Sequence, residues 1–320
     1  MRRPRPAYRE GTGHRVGAVM DMKIKYAPLL LFSGLALLLL AESEAVRQAM
    51  LEALALCAST AVPALFPFLV ASSLLIACGF GQWAAGHLAG LMGPLFALPG
   101  HAACALLLGL VGGYPIGART AAQLYGEGSL TKEEAERLLT FCNSSSPVFL
   151  LSVLGQRVFG SFRTGVWLWL VHLASALLTG ILFRRRETRS RPRAVEVRAV
   201  RLPSAFVSAV TESASACVSI CGFVTIFYVL SRPVASLGGA VGAALTGGLE
   251  LFSLTPLLQN DAVSFITASA CTAWGGCSVL CQTAAALEGS GLSMRWCVVG
   301  KATQAVMAAI LAGVVWTAIL

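Results

Sequence analysis

Residues 112–120 read GGYPIGART and residues 143–147 read NSSSP. In the first stretch Gly112, Gly113, Pro115 and Gly117 gather helix breakers inside an apolar run, and the fixed charge of Arg119 follows. In hydrocarbon, unpaired backbone groups are tolerated only where protein or water covers them. A helix resuming near Ile116 or Gly117 would aim free N–H groups back at the break, and helix N-termini attract anions. Arg119, one turn on, adds a full positive charge, so the chemistry is anion binding. The alternative is a tight helix crossing with Arg119 snorkelling to a headgroup. In the second stretch Asn143, Ser144, Ser145 and Ser146 precede Pro147, as in a helix interruption lining a polar cavity; a solvated Ser-Ser-Pro loop is the alternative. Between the two, Thr131 and Glu134 have capping-box spacing, and Ala135, Leu138, Leu139 and Cys142 share one helical face.

Isolated charges in the apolar second half are Glu212, Glu250, Asp261, Glu288 and Lys301. A charge at membrane depth is costly and points to function. Glu288 sits beside Gly289, which places it at a loop. Glu250, between a glycine pair and LFSL, and Lys301, on one helical face with Gln304, are the stronger candidates. Each is open between a cavity and an interface. No G-x-S-x-G, H-E-x-x-H or Walker lysine pattern occurs, so no catalysis is expected. The ten cysteines lie almost all in apolar segments and read as small packing residues; four scattered histidines and no CxxC give no expectation of a metal or other cofactor. Without a nucleotide-binding module, any transport would be driven by an ion gradient or by the substrate's own.

The elements that must position these residues are membrane helices. Of 320 residues 56% are hydrophobic and 12% charged, against about 25% charged in soluble domains. Runs approaching the roughly 20 residues needed to cross a bilayer fall near 26–41, 53–78, 83–111, 164–183, 205–230, 234–257, 262–287 and 296–320. The fold class expected is an all-α polytopic membrane protein with about eight to ten embedded helices, some broken or re-entrant. The net charge of +9 is concentrated: residues 1–25 and 184–201 hold 15 of the 24 basic residues, and the remainder nets −2. Lys/Arg-rich segments stay cytoplasmic. Neither segment carries the aromatics that stack on bases, so no nucleic-acid partner is expected. A basic stretch before the apolar run 26–41 also describes a secretory signal, but the small-residue pattern near 41–45 is poor, which favours an uncleaved first span.

The chain also repeats itself. Set at an offset of 163, GGYPIGARTAAQLYGEG (112–128) and GGCSVLCQTAAALEGSG (275–291) share eight of 17 positions, including both glycine pairs and the G-x-G ending; Gln282 stands where Arg119 does. Upstream, with seven residues fewer between in the first copy, LFAL (95–98) falls over LFSL (251–254). The organisation expected is a basic N-terminus (1–25), a first span (26–44), repeat 1 (45–183), an arginine-rich cytoplasmic linker (184–202) and repeat 2 (203–320). If both basic segments are cytoplasmic, the first repeat has an odd number of spans and its copy is inverted, a design of secondary transporters in which broken helices from each half meet at the substrate.

The stretch GLVGGYPIGARTAAQLYGEGSLTKEEAERLLTFCNSSSPVFLLSVLG resembles the signature of the sporulation integral membrane protein YlbJ family, and WGGCSVLCQ (274–282) resembles its later glycine-glycine-x-serine segment. The resemblance covers most of residues 45–315. It implies gate-type nucleoside-recognition repeats distantly related to concentrative nucleoside transporters. It further implies a multi-pass protein of the outer forespore membrane that moves dipicolinate, a pyridine dicarboxylate, from the mother cell. By matching motif positions it assigns function to Tyr114, Arg119, Asn143, Ser144, Ser145, Ser278 and Gln282. The substrate-binding set expected is therefore Gly113, Tyr114, Gly117, Arg119, Asn143, Ser144, Ser145, Glu250, Ser278, Gln282 and Lys301, with a small organic anion and the lipid bilayer as partners and homo-oligomerisation left open. The alternatives are a carrier of the same fold for a nucleoside-like solute and a non-transporting scaffold of spore-envelope assembly docking through the arginine linker.

Overall fold

The computed structural model describes residues 13–185 and 201–319. The outermost basic N-terminus and most of the arginine-rich linker fall outside the described residues. The chain divides into two compact units, residues 1–49 and 50–320.

In the first unit α1 (Gly13–Ala41) begins well before the first span expected at 26, and α2 (Ser43–Leu56) starts there and continues into the second unit. Leu29, Leu30, Leu31, Leu37 and Leu40 of α1 are all exposed, a surface suited to hydrocarbon and not to water. Early in α2, Arg47 pairs with Glu44 at 2.6 Å.

In the second unit a π-helical turn (Cys57–Ala61) leads into α3 (Val62–Ala77), α4 (Phe80–Phe96), α5 (Ala102–Gly112), α6 (Ile116–Gly126) and α7 (Lys132–Leu138). A π-helical segment (Phe149–Val158), α8 (Phe162–Leu182) and α9 (Leu202–Ala235) follow. The chain then forms α10 (Gly239–Leu249), the single turn α11 (Leu251–Leu254), a 3₁₀ turn (Thr255–Leu257), α12 (Ala262–Trp274), α13 (Gly276–Leu287) and α14 (Met294–Ala318). Among the described residues four stretches, α8, α9, α12 with α13, and α14, are long and apolar enough to cross a membrane, and two bent helix pairs bring the number to as many as six. One of those pairs, α3 and α4, turns by 92°. The fold is all-α and polytopic.

The complete crossings are fewer than the embedded helices because several apolar runs are interrupted. The run at 83–111 divides where Ala97 takes a left-handed φ of 52° before Pro99 and Gly100. The run at 234–257 divides at Glu250, whose extended backbone (φ −151°, ψ 129°) ends α10 and starts α11. LFAL and LFSL therefore adopt different local structures: Phe96 ends a helix, whereas Leu251 begins one.

Helix α14 shows how the sequence sorts its faces. Val306, Ile310 and Val314, four residues apart, are exposed, while Lys301, Gln304, Ala308 and Ala312 are buried against α12 and α8. With an apolar solvent outside, the polar groups turn inward, the reverse of a soluble helix. The capping box at α7 forms as its spacing predicts: Glu134 N–H donates to Thr131 Oγ1 at 3.2 Å and Thr131 N–H to Glu134 Oε2 at 2.9 Å.

Candidate functional site

Three breaks in the helices meet inside the second unit. At the first, Gly113 takes φ 85°, the Tyr114–Pro115 peptide is cis, and α6 restarts at Ile116. At the second, residues 143–146 are non-helical and buried, so NSSSP is an interior interruption and not a solvated loop. At the third, Gly275 (φ 92°) separates α12 from α13, whose first residue Gly276 takes φ 80°. Both aligned glycine pairs thus mark a break followed by a restarted helix.

Glycine is what lets the first two breaks touch. A Cβ on Gly113 would meet the Ser146 backbone nitrogen at 2.9 Å, and a Cβ on Gly117 would collide with the Cys142 carbonyl. Tyr114 then bridges to the third break, its hydroxyl donating to the Thr272 carbonyl at 2.6 Å. Lys301 Nζ lies 4.9 Å from the Tyr114 ring centroid, donates to Gln304 Oε1 at 2.8 Å and reaches the Tyr114 hydroxyl at 3.4 Å. Gln304 Nε2 donates to the His172 carbonyl at 3.4 Å, and His172 Nε2 accepts from Ser145 N–H at 3.0 Å. A continuous polar network therefore runs from α14 through α8 to the NSSSP break. Lys301 is fully buried with no acidic partner among the described residues. Its charge rests on amide oxygen and an aromatic face, an arrangement that leaves its field available to an anion.

Beside this network lies a cavity of about 330 Å³. Tyr114, Ser145, Glu250 and Gln282 line it, with Arg157 from the π-helical segment and the rings of Phe149 and Phe252. The two rings meet edge to face, centroids 5.2 Å apart. Ser59 and Thr60 add hydroxyls from the π-helical turn before α3. Aromatic walls with a few convergent polar groups are the composition of a small-molecule site.

The expected site residues divide accordingly. Tyr114, Ser145, Glu250 and Gln282 face the cavity, and Lys301 stacks on Tyr114. Ser278 accepts from Gln282 Nε2 at 3.2 Å and so holds that amide. Asn143 Nδ2 donates to Thr283 at 2.8 Å, tying the second break to α13. Asn143 Oδ1 and Ser144 Oγ are buried with no hydrogen-bond partner among the described residues. Gly113 and Gly117 serve close backbone approach. Arg119 is the departure: it does not line the cavity but forms an ion pair with Glu212 of α9, and its side chain is 32% exposed. Its helix turns it outward toward that carboxylate, 93 residues further along. Glu288 lies exposed at the end of α13, as expected for a loop.

Sequence reasoning missed Arg157, Phe149 and Phe252. Arg157 carried a signal, a lone charge in the run VFLLSVLGQRVFG. The two phenylalanines carried none, since a cavity-facing ring and a packing ring look alike in sequence.

A family model described as Gate: Nucleoside recognition matches residues 58–162, from the π-helical turn through the first two breaks to the start of α8. Over 225 residues the chain is 28% identical to the protein named sporulation integral membrane protein YlbJ of Bacillus subtilis (strain 168), which is 63% of this chain and 55% of that one. The match thus spans about half the length of the curated relative. No solved structure matches. The resemblance to that family read from the sequence is borne out.

Proposed function

We propose that this chain, a homologue of the sporulation integral membrane protein YlbJ with a Gate-type segment, is a membrane carrier of a small planar heteroaromatic anion, and that in a sporulating cell the anion is dipicolinate crossing the outer forespore membrane. One observation carries the reading. A cavity of about 330 Å³, near the small end of the roughly 300–1,000 Å³ of ligand sites, lies where broken helices meet, walled by Phe149 and Phe252 and lined by Arg157. The rings suit the faces of a pyridine, and a guanidinium suits a carboxylate through paired N–H donors. Lys301, stacked over Tyr114, adds a second positive charge close to the wall. The two aligned glycine breaks support reading the halves as inverted copies, the arrangement in which a midplane site opens alternately to each side. The test is saturable uptake of dipicolinate into proteoliposomes by the purified protein, with Arg157→Ala raising the half-saturating concentration.

A second reading is favoured by Glu250 and Gln282. A carboxylate and a primary amide lining one cavity could accept from and donate to a sugar or base edge, which suits a nucleoside-like solute. Competition separates the two. Pyridine dicarboxylates displacing labelled ligand while nucleosides do not supports the anion carrier, and the converse supports this second solute.

A further inference from the structure

The cavity holds one charge that does not fit a dianion. Arg157 is the cation that lines it, and Lys301 lies behind the wall, over the Tyr114 ring. Glu250 lines the same space and is only 1% exposed. Its Oε2 accepts from Ser253 N–H at 2.6 Å, and no lysine or arginine pairs with it among the described residues.

Among the described residues Arg157 is the one cation that lines the cavity with it, and the two form no ion pair. The titratable groups on the π-helical turn and the facing part of α9 include Cys57 and Tyr228. Tyr228 donates to Glu52 at 3.0 Å, and Glu52 occupies Arg232 at 3.3 Å, so that arginine is already paired. Cys221 of α9 lies by Cys57, whose thiol approaches the Cys221 carbonyl. On α12 Cys271 points its thiol at the Ala244 carbonyl. On α13 the group lining the cavity is the neutral amide of Gln282. Helices α10 and α11 and the turn after them contain no titratable residue but Glu250 itself. Tyr114 and Arg157 also line the cavity.

We propose, resting on the anion-carrier reading, that Glu250 is the proton seat of an anion–proton symporter. One proton binds the Glu250 carboxylate as the dianion enters and leaves it when the dianion leaves. The proton comes from the aqueous phase on the entry side, forms an O–H bond on the carboxylate, and is returned to water on the exit side. Each turnover moves a dianion and one proton, a net single negative charge. The coupling is Coulombic and reciprocal: a bound dianion disfavours the charged carboxylate, and a neutral Glu250 strengthens dianion binding by the same factor.

The experiment is dipicolinate uptake into proteoliposomes of the full chain with voltage clamped near zero by a potassium ionophore and a pH-sensitive dye trapped inside. The expected result is anion-dependent acidification of the lumen at one proton per dipicolinate, and about tenfold accumulation under a tenfold inward proton gradient. In Glu250→Gln, the uptake that remains brings no proton and no longer responds to the gradient. Acidification that persists in Glu250→Gln overturns the proposal, since the proton then rides elsewhere, as on the substrate. Wild-type uptake without acidification and without a gradient response also overturns it and leaves the carrier reading standing. If Glu250→Gln carries nothing, Glu250→Asp decides: a shift in the pH at which uptake is half-maximal supports the proton seat at this position, and an unchanged pH profile overturns it. A wild-type protein that moves no dipicolinate under any gradient overturns both readings.

Discussion

The Tyr114 hydroxyl donates to the carbonyl of Thr272, 158 residues away, at 2.6 Å. One bond thereby ties the break between α5 and α6 to the last turn of α12, just before the break at Gly275. Removing it in Tyr114→Phe leaves a buried carbonyl short of a donor, which costs about 1–3 kcal/mol. The expected outcome is a lowered unfolding temperature in detergent together with reduced uptake, because the bond positions a cavity wall as well as stabilising the fold.

Gly117 is required by contact. A side chain there meets the Cys142 carbonyl, which belongs to the chain entering NSSSP and has little room to move. Gly117→Ala should destabilise by about 1–3 kcal/mol or more through overpacking. Gly126, helical and with open space around its Cβ position, is the control: Gly126→Ala should be neutral or stabilise by up to ~1 kcal/mol. Thermal unfolding of the two variants side by side checks both signs.

The Arg119–Glu212 pair reverses an expectation drawn from sequence. Its side chains are 32% and 56% exposed, so a double-mutant cycle for stability should give a coupling of no more than about 1 kcal/mol. Arg119→Ala should leave the half-saturating dipicolinate concentration within about twofold of wild type. Arg157→Ala should raise it by roughly ten- to hundredfold, the equivalent of losing one charge-assisted hydrogen bond.

Lys301 predicts opposite signs for stability and activity. An enclosed ammonium without a carboxylate partner is poorly compensated, and replacing such a charge with an apolar side chain is often neutral or stabilising. Lys301→Met should therefore unfold at the same temperature or higher while its dipicolinate uptake falls. A variant that is both destabilised and fully active would contradict the assigned role.

What was legible in the sequence follows from how local each signal is. The helix breaks are written in glycine and proline at the positions that need them, so GGYPIG and NSSSP could be placed from sequence, while the Gly275–Gly276 pair was marked only by its alignment with Gly112–Gly113. The burial of Lys301 was legible in part, because Gln304 three residues on marked a polar helical face. The direction of Arg119 was not, because its partner Glu212 is 93 residues away and only the packing of α6 near α9 selects it. The aromatic walls were illegible for a different reason: Phe149 and Phe252 become neighbours only after a π-helical segment and the single turn α11 are folded.

Dipicolinate uptake by the purified chain in proteoliposomes, with nucleosides as competitors and Arg157→Ala in parallel, tests the central claim most directly. The account predicts saturable uptake that pyridine dicarboxylates inhibit, nucleosides do not, and the arginine variant weakens. Saturable nucleoside uptake by protein that carries no dipicolinate would contradict it.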